Sequence, residues 1–273
     1  MSDINKLFDL SGQVAVITGG AGLLGSEFCQ TLAEAGASVI IADIDHESAL
    51  SLAGSINALG LSALALETDV VDKHSVEQMV SFTLDAFGRL DILVNNAALD
   101  PKLDPEHASA QNYSFEEYPI DAWETALKVN LTGMFLCSQA AVPPMIDLGK
   151  GVMINLCSIY GLNGPDQRIY QQEDGTQRYK PVYYSVTKAG VLGLTRYLAA
   201  YYAGRNIRIN ALTPGGVFND HAEGFVRAYS ARTILGRMAR KDELNGALLF
   251  LASDASSYMT GANLVVDGGW TAW

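Results

Sequence analysis

Short apolar runs rich in β-branched residues alternate along the chain with longer stretches of helical periodicity. The runs predict seven strands, over 14–18, 38–42, 63–68, 90–94, 152–156, 207–212 and 263–266. The periodic stretches predict helices near 23–35, 47–58, 73–87, 121–140, 183–203 and 241–252. Alternating strands and helices are typical of βαβ units, and strands that are apolar on both faces require helices on both sides of the sheet. The pattern therefore predicts an α/β fold with a doubly wound parallel sheet, built as a single domain over 1–273.

Three segments lack a periodic pattern and are long for loops: 97–120, 159–182 and 214–232. Each follows a predicted strand, and ligands of such sheets bind outside the carboxyl ends of the strands. Long irregular segments in a compact domain are usually lids or binding loops. We therefore expect the three segments to converge over one crevice.

The composition is that of a globular protein, with 49% apolar and 18% charged residues in a chain of 273. The net charge of −12 disfavours nucleic acid and anionic membranes as partners, since both are negative themselves. No apolar stretch reaches the roughly 18 residues of a membrane span, and residues 1–13 lack the apolar core of a secretory signal. We expect a cytoplasmic protein.

Metal and disulfide chemistry are not expected from the cysteines and histidines. The three cysteines, Cys29, Cys137 and Cys157, have no CxxC spacing and are expected to be buried free thiols. The four histidines are scattered and form no ligand motif, so no metal site is predicted.

A glycine-rich loop joins the first predicted strand to the first predicted helix. It spans 18–25 and contains Gly20-x-Gly22-x-x-Gly25. Glycines in this context allow a tight turn and a close approach of the backbone to a pyrophosphate, which the helix N-terminus then faces. The alternative is a turn that only packs the helix on the strand.

Two aspartates follow the second and third predicted strands. Asp43 stands where a carboxylate can accept hydrogen bonds from both hydroxyls of an adenosine ribose. It would also repel a 2′-phosphate, and no Arg or Lys follows it in 44–46, so NAD is favoured over NADP. Asp69 is a candidate to bind the edge of the adenine ring through its carboxylate. For both, the alternative is a cap on the following helix or turn.

A tyrosine and a lysine lie four residues apart in Tyr184-x-x-x-Lys188, which places both on one helix face. Ser158, at the end of a predicted strand, offers a hydroxyl that could join them. The alternatives are helix packing for the pair and an ordinary loop hydroxyl for Ser158. Together with the glycine loop, the three form a much stronger signal than the tyrosine–lysine spacing alone.

With these motifs the chain resembles the short-chain dehydrogenase/reductase family, in its single-domain branch, nearly from end to end. The matching motifs are the glycine loop, Asp69-Val70, Asn95-Asn96-Ala97-Ala98, Asn130, Ser158, Tyr184-x-x-x-Lys188, Pro214-Gly215 and Asp267-Gly268-Gly269. The chain departs from that branch at Leu23 and Ala98, where the branch usually has glycine. These departures leave the subgroup within the family open. It is similar, more loosely, to oxidoreductases of surface-sugar and flagellin-glycan biosynthesis.

The resemblance implies a Rossmann fold, a nicotinamide cofactor and a catalytic set. Tyr184 would exchange the proton, and Ser158 would hold the reacting oxygen. Lys188 would grip the nicotinamide ribose and, with the positive nicotinamide ring, stabilise the phenolate, while Asn130 would anchor a water. Asn95 is expected to be a structural residue at a strand end. The implied cofactor-binding residues are Gly19, Gly22, Leu24, Asp43, Asp69, Val70, Asn96, Ala97, Tyr184, Lys188, Pro214, Gly215 and Val217.

The segment 162–182 is long for the family and carries mainly polar residues and tyrosines. Such a loop favours a polar or sugar-like substrate over a steroid or acyl chain. We expect it to be a lid, with Arg168 and Arg178 as candidates for a phosphate or carboxylate; a solvated flap or a subunit contact is the alternative. The stretch 225–241 contains five cations and no acid, which makes it a second candidate for an anion site. The alternative is a structural stretch that is common in the family.

The sequence thus predicts an NAD-dependent oxidoreductase that interconverts a secondary alcohol and a ketone. The alternatives are an epimerase or dehydratase that acts on an activated sugar, and a non-catalytic NAD-binding regulator. Family members are commonly dimers or tetramers, so a homodimer or homotetramer is expected. Trp270 and Trp273, near the C-terminus, are expected to be buried against a neighbouring subunit.

Overall fold

Seven parallel strands form one sheet in the order β3-β2-β1-β4-β5-β6-β7. The computed structural model describes residues 4–100, 111–172 and 174–273. The strands are β1 Val14–Thr18, β2 Ser38–Asp43, β3 Ala63–Glu67, β4 Ile92–Asn95, β5 Gly151–Leu156, β6 Ile207–Pro214 and β7 Asn263–Val266. The chain reverses its direction of winding between β1 and β4, so the crevice for a ligand opens at the carboxyl ends of these two strands. The predicted α/β class and doubly wound sheet are confirmed.

Helices cover both faces of the sheet. They are α1 Ile4–Leu7, α2 Leu23–Glu34, α3 His46–Ala58, α4 Lys73–Phe87, α5 Ile120–Leu127, α6 Met134–Leu148, α7 Val182–Tyr201, α8 Glu223–Ser230 and α9 Asn245–Ala252. Within the described ranges, no helix is both long enough and apolar enough to cross a membrane.

Alternate residues of each strand belong to two different cores. In β1, Ala15 and Ile17 pack with α2, α3 and α9, whereas Val16 packs with α4 and α6. This follows from the period of two in a strand, where successive side chains point to opposite faces. Both faces are buried, which explains why the strands are apolar throughout.

The helix predicted over 121–140 is longer and less regular than its pattern indicates. A π-helical turn at Lys128–Gly133 separates α5 from α6, and α6 continues to Leu148 through Pro143 and Pro144. The segments predicted to be irregular contain α8 and short 3₁₀ turns at Ile159–Gly161 and Gln167–Tyr170. Residues 101–110 of the first such segment lie outside the described residues.

A ladder of buried polar side chains ties the sheet to α6 and α7. The Nδ2 of Asn95 donates to Asn155 Oδ1 at 2.8 Å and to Ser138 Oγ at 3.1 Å. The Nδ2 of Asn155 donates to Thr195 Oγ1 at 2.9 Å. All four side chains are buried. Asn95 therefore has the structural role that its position at a strand end predicts.

The structure confirms the expected burial of the cysteines, but it buries only one of the two C-terminal tryptophans. All three cysteines are buried, as predicted. Trp270 is buried too, but within its own chain, where it stacks on Tyr229 with ring centroids 4.2 Å apart. Trp273 is 76% exposed, and its Nε1 donates to Arg232 O at 3.0 Å. The burial of Trp270 thus does not require a second subunit, and the oligomeric state stays a prediction.

Replacing Asn155 should test the ladder. Asn155→Ala removes one buried hydrogen bond from the Asn95 amide and one from the Thr195 hydroxyl, so we expect a loss of about 2–4 kcal/mol in the free energy of unfolding. The measurement is denaturant unfolding at fixed protein concentration. Gln30→Ala, which removes an exposed hydrogen bond to Glu34, is the control and should cost less than about 0.5 kcal/mol. Equal losses for the two variants would contradict the role of the ladder.

Candidate active site

The glycine loop forms a tight cradle between β1 and α2. Gly19 has a φ of +60°, and a Cβ there would lie 2.8 Å from the Cα of Ala97. A Cβ on Gly25 would lie 2.0 Å from the carbonyl oxygen of Gly19, so only glycine fits. The N-cap of α2 is Gly22, and no side chain caps the first amides of the helix. Uncapped amides at the positive end of a helix dipole suit the phosphates of a dinucleotide.

Residues at the end of β4 form hydrogen bonds that hold the glycine cradle in place. The Nδ2 of Asn96 donates to Gly19 O at 2.8 Å and to Thr18 O at 3.2 Å. The hydroxyl oxygen of Thr18 accepts from the amides of Asn96 and Ala97 at 3.1 and 3.2 Å. Asn96 and Ala97, predicted as cofactor residues, therefore also shape the glycine loop.

Asp43 lies at the carboxyl end of β2, directly beside the cradle. Its Oδ2 accepts from the Ala21 amide at 2.9 Å, and its Oδ1 accepts from the Asp45 amide at 3.0 Å. The cap of α3 is Asp45, whose side chain accepts from the Ser48 amide. The alternative that Asp43 caps this helix is therefore wrong, although it does bind the turn that leads into it.

Asp69 likewise is not a helix cap. Its Oδ1 accepts from the Val71 amide at 3.0 Å, whereas the cap of α4 is Asp72. Val70 is buried against Gly133, where a Cβ would come within 2.8 Å of its Cγ2. The contact of Asp69 and Val70 with an adenine stays a prediction.

The other predicted cofactor residues lie at the same edge of the sheet. Leu24 is in the first turn of α2. Pro214 ends β6, and the Gly215 amide donates to Val266 O at 2.9 Å. Val217 forms an isolated bridge with Ala239. The structure thus brings them to the crevice, and their contacts with a cofactor stay predictions.

Tyr184, Lys188 and Ser158 meet where β5 ends and α7 begins. Tyr184 is in the first turn of α7, and Lys188 follows one turn later with 4% of its surface exposed. The Nζ of Lys188 donates to Leu156 O at 2.9 Å and lies 5.8 Å from the centre of the Tyr184 ring. Ser158 is buried and hydrogen-bonded to Tyr184. The predicted constellation is therefore assembled.

Burial dominates the protonation of the catalytic pair. Burial and the charge of Asp100 raise the pKa of Tyr184, while its hydrogen bond with Ser158 lowers it. Burial lowers the pKa of Lys188 to about 8. Burial therefore favours the neutral phenol. A neutral phenol is the form that donates a proton during ketone reduction.

Asn130 lies on the π-helical turn and is buried. Its Oδ1 accepts from the Leu99 amide at 2.6 Å, and its Nδ2 donates to Leu99 O at 3.3 Å and to Thr187 Oγ1 at 3.4 Å. The turn thus connects the segment after β4 with α7. Turns of this kind are frequent at functional sites. The water that Asn130 is expected to anchor stays a prediction.

The segment 162–182 turns an apolar side inward. Ile169 and Tyr170 pack in a buried cluster with Tyr160, Tyr229 and Trp270. The hydroxyl of Tyr170 donates to that of Tyr160 at 2.9 Å, and the Tyr160 ring centroid lies 6.5 Å from that of Tyr184. Many of its polar residues are exposed, among them Asn163, Gln171 and Arg178. The loop therefore adds an aromatic wall near Tyr184, a feature its polar composition conceals.

Arg168 and the cations of 225–241 are paired within the protein, whereas Arg178, the other candidate for binding an anion, is exposed. Arg168 and Arg232 both bind Asp166, and the side chain of Arg168 is 86% exposed. Arg227, Arg237, Arg240 and Lys241 pair with Glu223, Glu243, Asp242 and Glu27 respectively. Each cation of 225–241 thus has a carboxylate partner from outside that stretch, and the binding of an anion there stays a prediction.

Lys180 and Asp100 are functional candidates that the sequence analysis missed. The Nζ of Lys180 lies 3.7 Å from the centre of the Tyr184 ring and 3.1 Å from both carboxylate oxygens of Asp100. Lys180 stands four residues before Tyr184, as Lys188 stands four after it. The spacing of four residues is the sequence signal that could have identified Lys180. However, Pro181 lies between Lys180 and the start of α7, so the helical repeat does not extend to Lys180.

Comparisons with known proteins agree with this arrangement. Residues 20–271 match the model of a family described as enoyl-(acyl carrier protein) reductase. A cis-4-hydroxycyclohexanecarboxylate dehydrogenase of Sinomonas cyclohexanicum is 38% identical over 264 residues, which cover 95% of this chain and 97% of that protein. A short-chain type dehydrogenase/reductase from Mycobacterium marinum superposes with a TM-score of 0.85 and 32% identity over 99% of both chains. A gluconate 5-dehydrogenase from Burkholderia cenocepacia, solved with NADP and tartrate, gives 0.87 and 31% over 99% of this chain and 100% of that one.

Replacing Gly25 should destroy the cradle. In Gly25→Ala the new methyl group meets backbone that cannot move cheaply, so we expect NADH affinity, measured by fluorescence titration, to fall at least about tenfold. Gly54→Ala is the control, because its Cβ enters open space in α3, where alanine is favoured by about 0.5–1 kcal/mol. Parent-like binding by Gly25→Ala would contradict the cradle.

Proposed function

The chain belongs to the short-chain dehydrogenase/reductase family, and from that membership we propose that it is an NAD-dependent dehydrogenase of polar, sugar-like secondary alcohols. The observation that carries the proposal is the meeting of Tyr184, Ser158 and Lys188 beside the glycine cradle. Family membership makes the chain an oxidoreductase, and its relatives include dehydrogenases of hydroxylated substrates.

A bound nicotinamide ring supplies or accepts the hydride, and the side chains manage the proton. Tyr184 takes the proton of the alcohol during oxidation and returns it during reduction. Ser158, hydrogen-bonded to Tyr184, is placed to hold the same substrate oxygen. Lys188 contributes a buried charge one helical turn from Tyr184. Because burial favours the neutral phenol, oxidation requires additional positive charge near the ring.

The choice of NAD over NADP follows from the position of Asp43. Two backbone amides hold its carboxylate at the edge of the cradle, where a ribose is expected. A 2′-phosphate there would meet a like charge, and 44–46 offer no Arg or Lys to balance it. The related gluconate 5-dehydrogenase was solved with NADP, so relatives do not decide the choice for this chain.

A polar ring or polyol is the substrate class that we propose. The wall near Tyr184 combines aromatic faces with the hydroxyls of Tyr160 and Tyr170. Such a wall can pack against a ring and also form hydrogen bonds to its substituents. The relatives named for cis-4-hydroxycyclohexanecarboxylate and gluconate support this class.

We further propose a homodimer or homotetramer in the cytoplasm. Large apolar side chains on α6 and α7 are exposed in the single chain, namely Phe135, Tyr197 and Tyr201. Burial of such residues against a second copy would stabilise an assembly.

A screen for NADH formation tests the reaction. The purified protein with NAD is offered sugars, polyols, sugar phosphates and hydroxy acids, and turnover is followed by NADH absorbance. Tyr184→Phe removes one hydroxyl and little volume, so NADH binding should persist while turnover falls by about 10²–10⁴-fold. Turnover of Tyr184→Phe within tenfold of the parent would refute the role of this residue. NAD that is bound but never reduced to free NADH would refute net oxidation.

Asp43 should set the cofactor preference. We expect the parent to prefer NAD over NADP in kcat/KM on the order of a hundredfold, since like charges about 5 Å apart repel by roughly 3 kcal/mol. Asp43→Ala should narrow this ratio at least about tenfold by the same reasoning. The matched control is Asp45→Ala, which loses the cap of α3 but should keep the preference. Equal efficiency of the parent with both cofactors would show that Asp43 does not face the ribose.

A further inference from the structure

The ring of Tyr184 has two ammonium groups near it, and the nearer one is not Lys188. The Nζ of Lys180 lies 3.7 Å from the ring centre, compared with 5.8 Å for that of Lys188. The Lys180 side chain is only 11% exposed, so water screens its charge weakly. A cation at this distance over an aromatic face interacts strongly with the ring.

Lys180 is held in place at both its backbone and its side chain. The Gln167 side chain clamps the backbone, since its Oε1 accepts from the Lys180 amide at 2.9 Å and its Nε2 donates to Lys180 O at 3.1 Å. The ammonium group forms an ion pair with Asp100, whose side chain is 24% exposed. Asp100 follows β4, whereas Gln167 belongs to the segment before α7. Lys180 thus joins two of the segments that border the crevice, directly over the catalytic ring.

We propose that Lys180 is a positioning residue of the reaction, which orients the Tyr184 ring and favours its phenolate, and that Asp100 limits this effect. A phenolate spreads its negative charge into the ring, so a cation over the ring face attracts it more than it attracts the neutral phenol. The carboxylate of Asp100 acts in the opposite sense. The inference rests on the proposed function only in that Tyr184 exchanges the proton.

The effects of Lys180 and Asp100 on the pKa of Tyr184 can be separated experimentally, because the other groups that face the ring are known. From the end of β5 come Ser158, Cys157 and Tyr160, from the segment before α7 comes Tyr170, and α7 itself contributes Lys188. These offer hydroxyls, a thiol and one ammonium group. Within the part of the chain that the structure describes, Lys180 and Asp100 are thus the charges near Tyr184 that lie outside the predicted catalytic set.

The variants are Lys180→Met, which keeps the stem and removes the charge, Lys180→Arg, which keeps the charge, and Asp100→Asn. Lys73→Met removes an exposed ion-paired lysine on α4 and controls for the loss of any lysine. Circular dichroism and NADH titration establish that each variant is folded. In the NAD complex, ¹³Cζ-tyrosine NMR follows the titration of Tyr184, whose resonance is assigned by its loss in Tyr184→Phe. The pH profile of kcat/KM is the second readout.

We expect Lys180→Met to move the titration midpoint of Tyr184 upward by about one pH unit, and Asp100→Asn to move it downward, as single charges at these distances do. Lys180→Arg should move it less than Lys180→Met does, and Lys73→Met should leave it in place. If Lys180 and Asp100 act by their charges, the two variants shift the midpoint of Tyr184 in opposite directions. A structure that is merely loosened would shift the midpoint in the same direction in both variants.

Several results would overturn the inference. Parent-like midpoints in both variants, or shifts of the same sign, would show that Lys180 does not act on Tyr184 by its charge. A raised KM in Lys180→Met without a shifted midpoint would make Lys180 a substrate-binding residue instead. Should Lys180→Met fail to fold, the midpoint of Asp100→Asn still decides. A parent Tyr184 that shows no titration up to about pH 11, beyond the ordinary phenol range, would refute its role as a base and therefore the proposed function itself.

Discussion

The buried ladder from Asn95 through Asn155 to Thr195 is the interaction on which the active site depends. Amides and hydroxyls removed from water are stabilised by pairing with one another, and the side chains of Asn95, Asn155 and Thr195 pair when β4, β5 and α7 are in one register. Thr195 lies on the same helix as Tyr184 and Lys188. The hydrogen bonds that hold the helix to the sheet therefore also set where the catalytic side chains lie relative to the end of β5.

The residues that follow β4 connect the functional parts. Asn96 and Ala97 support the glycine loop, Leu99 holds Asn130, and Asp100 pairs with Lys180 over the Tyr184 ring. A single strand end thus touches the cradle, the π-helical turn and the segment before α7. A few residues of backbone therefore link the glycine cradle, the π-helical turn and the segment that contains Lys180.

Charge has two different uses in this acidic chain. Around the segment 162–182 it is structural, because Arg168 and Arg232 converge on Asp166 and tie the segment to the chain just after α8. Near Tyr184 we propose that charge is functional, because Lys180 and Asp100 lie close to the ring and are largely buried. Desolvation and the carboxylate of Asp100 both favour the neutral phenol by raising the pKa of Tyr184, and the hydrogen bond with Ser158 opposes them.

The sequence by itself determined the sheet, the glycine cradle and the Tyr184–Lys188 pair, because strand and helix periodicity and the steric demand for glycine are local properties of the chain. It also marked Asp43 and Ser158, since each lies at or just beyond the carboxyl end of a strand. Only the tertiary structure decided which charges pair, which face of the segment 162–182 turns inward, and that Lys180 lies over Tyr184. The ion pairs of Asp100 with Lys180 and of Asp166 with Arg232 join residues far apart in the chain, and no local pattern encodes them. Lys180 lies only four residues before Tyr184, but Pro181 interrupts the helical repeat between them. Pairing across the fold gave the cations of 225–241 carboxylate partners from outside that stretch and placed a second ammonium group at the Tyr184 ring.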